Sequence, residues 1–113
     1  MAKMRAKWGT KDINSTIRDA VVTLNGIKGV TRTVTGVVCE MADALMCEVW
    51  KNQEKIAEFN TAQMIKAYGS ATVFCSGIDL NEELVEGDTL SLMYYNGTGG
   101  NLTDVNGVIL YTE

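Results

Sequence analysis

Apolar and polar residues alternate with a period of two through residues 71–95. ATVFCSGIDL and DTLSLMYYN are two such runs, joined by the acidic segment NEELVEG. In the first, Val73 and Cys75 point one way and Phe74 the other. In the second, Leu90, Leu92 and Tyr94 share one face, and Ser91, Met93 and Tyr95 the opposite one. Alternation at this length predicts strands half buried in a sheet. Between the runs, Gly87 is free to take a positive φ and Asp88 can accept backbone N–H groups, so the connection ends in a turn.

The same pattern recurs elsewhere. Residues 20–24 (AVVTL) predict a strand, followed by turn signals at Asn25-Gly26 and Lys28-Gly29. Residues 30–38 are β-branched almost throughout and carry the strongest strand propensity, with Gly36 marking a bulge or a close backbone approach. Residues 39–46 (CEMADALM) favour helix but are too few to form one alone, so a loop or single turn is expected there. From Leu45, the residues Leu45, Cys47 and Val49 share a face, with Met46, Glu48 and Trp50 on the other. Lys51–Glu54 reads as a hairpin turn and Lys55–Phe59 as the return strand. Residues 60–70 read as one helical turn or an extended crossover, and strands follow at about 71–80, 88–95 and 107–112. Residues 12–19 fit a loop, a strand or one helical turn. Residues 1–11 read as a basic arm in which Trp8 is an aromatic anchor beside a flexible Gly9.

Seven or eight short strands separated by turn signals predict an all-β fold. The expected architecture is an antiparallel, jelly-roll-like β-sandwich over residues 12–113, preceded by the arm. The length of 113 residues suits one domain, and a hydrophobic fraction of 46% is enough for a core. A domain this small gains from oligomerisation. No run is long enough to span a membrane as a helix, and no apolar segment near Met1 suggests a signal peptide, so synthesis in a cytoplasm is expected.

Charge is unevenly spread. Lys3, Arg5, Lys7 and Lys11 lie in the first eleven residues without an acid. Residues 67–113 hold no Lys or Arg, against Asp79, Glu82, Glu83, Glu86, Asp88, Asp104 and Glu113. A net charge of −4 argues against nucleic-acid binding, which needs a clustered basic face. The basic arm suits docking on an acidic protein surface, such as a neighbouring copy of the chain. Lys3, Arg5, Lys7, Trp8 and Lys11 are therefore the candidate docking residues. Leu90, Leu92, Tyr94 and Tyr111 are assigned to the core or to an oligomer interface.

Candidate chemistry is sparse. There is no histidine, which removes Ser-His-Asp and Cys-His catalysis and the commonest zinc ligand. Cys39, Cys47 and Cys75 lack metal-site spacing and are read as reduced, buried thiols. The acids Asp79, Glu82, Glu83, Glu86 and Asp88 do not follow the spacing of a calcium loop and are read as a solvated connection. Gly97-Thr98-Gly99-Gly100 lacks the Lys-Ser/Thr of a phosphate loop and is read as a hairpin loop. Trp50, Tyr94, Tyr95 and Tyr111 offer material for a sugar-binding surface, but adjacent Tyr94 and Tyr95 must face opposite sides of their strand. No catalytic set, metal site or cofactor is expected.

Residues 71–113 resemble the C-terminal half of trimeric jelly rolls of the tumour-necrosis-factor and complement-head type. The resemblance runs through Thr72-Val73, Ser76-Gly77-Ile78, Leu80, Gly87-Asp88-Thr89-Leu90-Ser91-Leu92, Tyr94 and Val108–Tyr111. In its short, His-free, Pro-free and Thr/Val/Gly-rich character the chain is similar to the compact virion proteins of tailed phages. That resemblance implies a non-enzymatic capsid decoration or head-fibre protein, found in the virion and made in the host cytoplasm. Its expected partners are itself, as a homotrimer, and a major capsid or other virion protein, with no nucleic acid or membrane. The alternative is a receptor- or carbohydrate-binding tail-tip module.

Overall fold

A computed structural model describes residues 3–14, 19–39, 45–61, 65–68, 73–96 and 101–113. They form nine strands: β1 (Met4–Asn14), β2 (Asp19–Asn25), β3 (Arg32–Cys39), β4 (Leu45–Lys51), β5 (Glu54–Asn60), β6 (Ile65–Tyr68), β7 (Val73–Leu84), β8 (Thr89–Asn96) and β9 (Asn101–Thr112). Five make one sheet in the order β1-β9-β3-β7-β6, and four make the other in the order β2-β8-β4-β5. Neighbouring strands are antiparallel throughout. Strands β1 to β4 alternate between the sheets, and β9 and β8 return beside β1 and β2. The chain thus winds into the jelly-roll-like β-sandwich that its alternation predicts.

The core follows the period of two. Leu45, Cys47 and Val49 of β4 are buried, as are Leu90, Leu92 and Tyr94 of β8 and Val105, Ile109 and Tyr111 of β9. From the five-stranded sheet Val34, Val37, Leu84 and Ile13 meet them. Tyr94 is fully buried, and its hydroxyl donates to the Asn106 carbonyl at 2.9 Å, so the phenol is satisfied without water.

Two expected turns are present as read. Asn52, at φ 57°, turns β4 into β5, and Gly87, at φ 94°, turns β7 into β8. Asn25-Gly26 works differently from a simple tight turn. Gly26 lies against the Val85 carbonyl, where any Cβ would collide, and its N–H donates to the Asp88 carbonyl at 2.8 Å. The reversal falls at the next signal, where Gly29 takes φ 80° between the bridged Ile27 and Val30.

Four expectations are corrected. Residues 1–11 are not an arm: from Met4 onward they belong to β1, which pairs with β9 along Met4–Asn14. Even Lys3 exchanges backbone hydrogen bonds with Glu113. Lysine at every fourth position masked the strand pattern, yet lysine is what an edge strand carries to resist unwanted pairing. Accordingly Gly9 is no joint; it has an ordinary strand register opposite Gly107. The acidic segment is largely strand, because β7 runs on to Leu84 and buries that residue. Likewise β9 begins at Asn101, well ahead of the strand expected at about 107–112. The crossover reading of residues 60–70 resolves in part as the short extended β6. The segment 40–44 and the glycine run 97–100 lie outside the described residues.

Candidate docking surface

Backbone register stacks the outer face of the five-stranded sheet in cross-strand rows. Trp8 lies opposite Val108, Val108 opposite Val38, and Val38 opposite Gly77. The next row runs Ala6, Leu110, Gly36, Asp79, and the one beyond it Met4, Thr112, Thr33, Glu83. Since Val37, Ile109 and Tyr111 point into the sandwich, their strand neighbours in these rows point out. The middle of an outward sheet face is therefore apolar. Val38, Val108 and Leu110 are half-buried, while Met4 and Trp8 are 73% and 70% exposed. An indole so exposed beside other apolar groups is unusual for a surface that stays solvated.

The predicted docking residues Lys3, Arg5, Lys7, Trp8 and Lys11 are all exposed, Lys3 just before the edge strand β1 and the other four on it. The strand divides them. Trp8 sits on the outer face with Met4 and Ala6, whereas Lys3, Lys7 and Lys11 take the alternate positions. Arg5 is held differently: its Nε lies 2.6 Å from Glu113 Oε1, and Arg32 Nε lies 2.9 Å from Glu113 Oε2. The Arg32 guanidinium also sits 5.2 Å from the centre of the Tyr111 ring and donates to the Asn25 carbonyl at 2.6 Å. This clamp ties the ends of β1, β3 and β9 together and fixes the first residues of the face.

The second predicted group does not face outward. Leu90, Leu92 and Tyr94 are fully buried and Tyr111 is 8% exposed, so of the two roles read for them they fill the core and not the surface of the chain. The signal for the true outward patch was present in Val38, Val108 and Leu110. It was missed because those residues lie on strands also supplying core positions, and only the register shows that they share a face with Trp8.

The acidic group is dispersed by its strand and turn. Glu82 reaches Lys51 at 3.5 Å. Asp88 accepts from the Val85 N–H at 3.1 Å and from Asn52 Nδ2 at 3.2 Å, and the first of these holds its carboxyl below the usual carboxylate range. Asp79 and Glu83 remain exposed on the outer rows. Among the described residues no group of three His, Cys, Asp or Glu is placed to hold a metal ion.

A polar cluster missed in the sequence lies on the outer face of the four-stranded sheet. Glu48 is only 1% exposed although it alternates with core residues. It accepts from Trp50 Nε1 at 3.1 Å and from Lys55 Nζ at 3.5 Å. Lys55 Nζ also lies 2.5 Å from Glu58 Oε2, and the Tyr95 hydroxyl donates to Glu58 Oε1 at 3.2 Å. The contact with Glu58, above all, raises the Lys55 pKa. Trp50 and Tyr95 are thus together on one face, while Tyr94 and Tyr111 are in the core, so the four aromatic residues do not form one sugar platform.

Cys39 and Cys47 face each other across the core, with Cys39 Sγ 3.6 Å from Cys47 Sγ and both thiols free. Burial, with the hydrogen bond between the two thiols next, pushes the Cys47 thiol well above its ordinary value and leaves it a poor nucleophile. The side chain of Cys75 lies outside the described residues. No family model, curated protein or solved structure matches the chain.

Proposed function

We propose that the chain is a non-enzymatic structural protein of a virion, a capsid decoration or head-fibre protein that works as a homotrimer. The carrying observation is the outer face of the five-stranded sheet, where Trp8 is 70% exposed at the end of an apolar row. A tryptophan that a partner can bury is a usual energetic anchor of a protein–protein contact. The jelly-roll-like winding and the resemblance of residues 71–113 to trimeric jelly rolls support assembly with like chains. Small size supports it further, because association hides surface that a 113-residue domain leaves exposed.

Two measurements test the reading. Sedimentation of the purified chain from micromolar to high concentration should give a species of three chains. Virus particles purified from the source and probed with an antibody to the chain should carry it in fixed, stoichiometric amount. A monomer at high concentration overturns the homotrimer, and particles without the chain overturn the virion assignment.

The competing reading is a receptor- or carbohydrate-binding module. It is favoured by Trp50 and Tyr95 lying on one face beside Glu48, Lys55 and Glu58. Those polar groups already hydrogen-bond one another, which leaves less to offer a sugar. Selective binding on a glycan array, abolished by Trp50→Ala, would replace the structural reading with this one.

A further inference from the structure

We infer that Cys39 and Cys47 are a disulfide-forming pair, which a small peroxide converts into a covalent strap between the two sheets. Cys39 closes β3 in the five-stranded sheet, and Cys47 lies in β4 of the four-stranded sheet. Their sulfurs are 3.6 Å apart, which is contact distance, so no other side chain stands between them. Both thiols are free. The pair lies within one chain, so its chemistry is independent of any oligomer.

Each cysteine is held in place by its own sheet. Cys39 stands between Gly107 of β9 and Ser76 of β7, and Cys47 between Phe59 of β5 and Tyr94 of β8. A disulfide needs sulfurs about 2.0 Å apart, so this pair must close by roughly 1.5 Å. Small changes in both side-chain torsions supply a movement of that size. Burial selects the oxidant. Cys39 is 4% exposed and Cys47 0%, which shuts out a bulky disulfide such as oxidised glutathione. Hydrogen peroxide is small and uncharged, and reaches the pair through slight opening of the core.

Cys39, the slightly more accessible thiol, attacks one peroxide oxygen. An S–O bond forms, the O–O bond breaks, and the departing hydroxide takes the thiol proton and leaves as water. The product is a sulfenic acid, an electrophile in contact with Cys47. The Cys47 sulfur attacks it, the S–S bond forms, the S–O bond breaks, and the second hydroxide leaves as water with the Cys47 proton. Two thiols are oxidised and one peroxide is reduced to two waters. Burial makes Cys47 a poor nucleophile, which keeps the pair reduced in mild surroundings. Against a sulfenic acid already in contact, proximity offsets that weakness. A chain that folds in a reducing compartment is then fastened only once it reaches an oxidising one.

The test uses the full chain, folded and treated with hydrogen peroxide. Trypsin cuts after Arg32 and Lys51, so Cys39 and Cys47 fall on one peptide, residues 33–51, and Cys75 on another, residues 67–113. In the denatured product, peptide 33–51 should take up no iodoacetamide, and should label at both cysteines once dithiothreitol has been added. The oxidised chain should melt at least about 4 °C above the same sample after dithiothreitol, since the bond constrains the unfolded chain. Dithiothreitol leaves any methionine sulfoxide in place, so the comparison isolates the thiols. Labelling of both cysteines in the peroxide-treated chain before reduction overturns the inference, as does Cys39 running on to a sulfinic acid. A cross-link between the two peptides assigns the chemistry to Cys75 and overturns it too. If the bond forms and the melting temperature does not rise, it does not fasten the sheets, and the inference falls.

Discussion

Gly9 is pressed against the backbone of Val21: a Cβ at residue 9 would collide with the Val21 carbonyl oxygen and lie 3.3 Å from Val22 Cβ. This contact is what seats the edge strand of one sheet on the edge strand of the other, next to the exposed Trp8. The glycine is needed for closeness and not for a special backbone angle.

Gly9→Ala should therefore lower stability by ~1–3 kcal/mol, the usual range for forcing a methyl group into a filled site. Trp8→Ser, one residue away and on the solvent side, should change the chain's own stability by about 0.5 kcal/mol or less. Thermal melts at a concentration low enough to keep the chain monomeric make the comparison. Deleting residues 1–11 should be worse than either, since it strips β9 of most of its ladder with β1. A truncated chain that melts like the full one would show that β1 contributes little to the fold.

Leu92 and Ser91 point to opposite faces of β8, and the consequences of a carboxylate differ accordingly. Leu92 is fully buried, while Ser91 is half-buried with its Oγ 3.2 Å from Thr23 Oγ1. Leu92→Asp should cost ~4 kcal/mol or more, because it places an unpaired charge in the core. That is a large share of what a small domain has. Ser91→Asp should leave a folded chain with a modestly lower melting temperature. Urea unfolding of both variants checks this; equal tolerance would contradict the burial of β8.

Strand identity was readable wherever one face met the core and the other met water, as in Leu45–Lys51 and Thr89–Asn96. It was unreadable where the strand lay at a sheet margin. Among the described side chains of β1 only Ile13 is buried, so there is no apolar alternation to find, and its partner β9 lies some hundred residues away along the chain. The outer part of β7 failed for the same reason, with Asp79, Asn81 and Glu83 all exposed. The candidate docking residues were legible as a type, basic with one tryptophan. Their neighbours Val38, Val108 and Leu110 were not, since only the register of three separate strands places them beside Trp8.

Glu48 shows how a polar residue on an outward face becomes buried. It stands directly opposite Glu58 on β5, a like-charge pair that alone would destabilise the hairpin. Lys55 sits between the two carboxylates and Trp50 donates its indole N–H to the deeper one. Glu48→Ala should cost ~1–3 kcal/mol, the penalty of leaving the Trp50 donor without its partner. Glu48→Gln keeps an acceptor and should cost less. Because the Lys55 pKa is raised in the folded chain, the stability it contributes is present at neutral pH and is lost as pH rises through that folded value. Lys55→Met should accordingly be less stable than wild type at neutral pH, with the difference shrinking in strongly alkaline buffer. Melts across that range check the sign, and a constant difference would mean that the charge is irrelevant.

Asp88 joins three turns. Its backbone carbonyl accepts from Gly26, its backbone N–H donates to Val85, and its carboxylate accepts from Val85 and Asn52. Asn52 in turn accepts from the Thr89 N–H at 3.0 Å. The carboxyl is held below its ordinary range by the Val85 N–H first and by Asn52 next. A carboxyl with a depressed folded pKa contributes stability above its unfolded pKa and loses it as pH falls through the folded value. Asp88→Ala should therefore be destabilised at neutral pH, and its difference from wild type should narrow below the usual carboxylate range, as the wild-type group is protonated. Asp88→Asn retains one oxygen to accept from Val85 but carries no charge, so it should fall between the two at neutral pH and depend less on pH than wild type. Denaturant unfolding of the three proteins from pH 7 down to about pH 3 distinguishes the charge from the hydrogen bond. If Asp88→Asn matches wild type at every pH, the turn is held by geometry alone and the ionised carboxylate adds nothing to it.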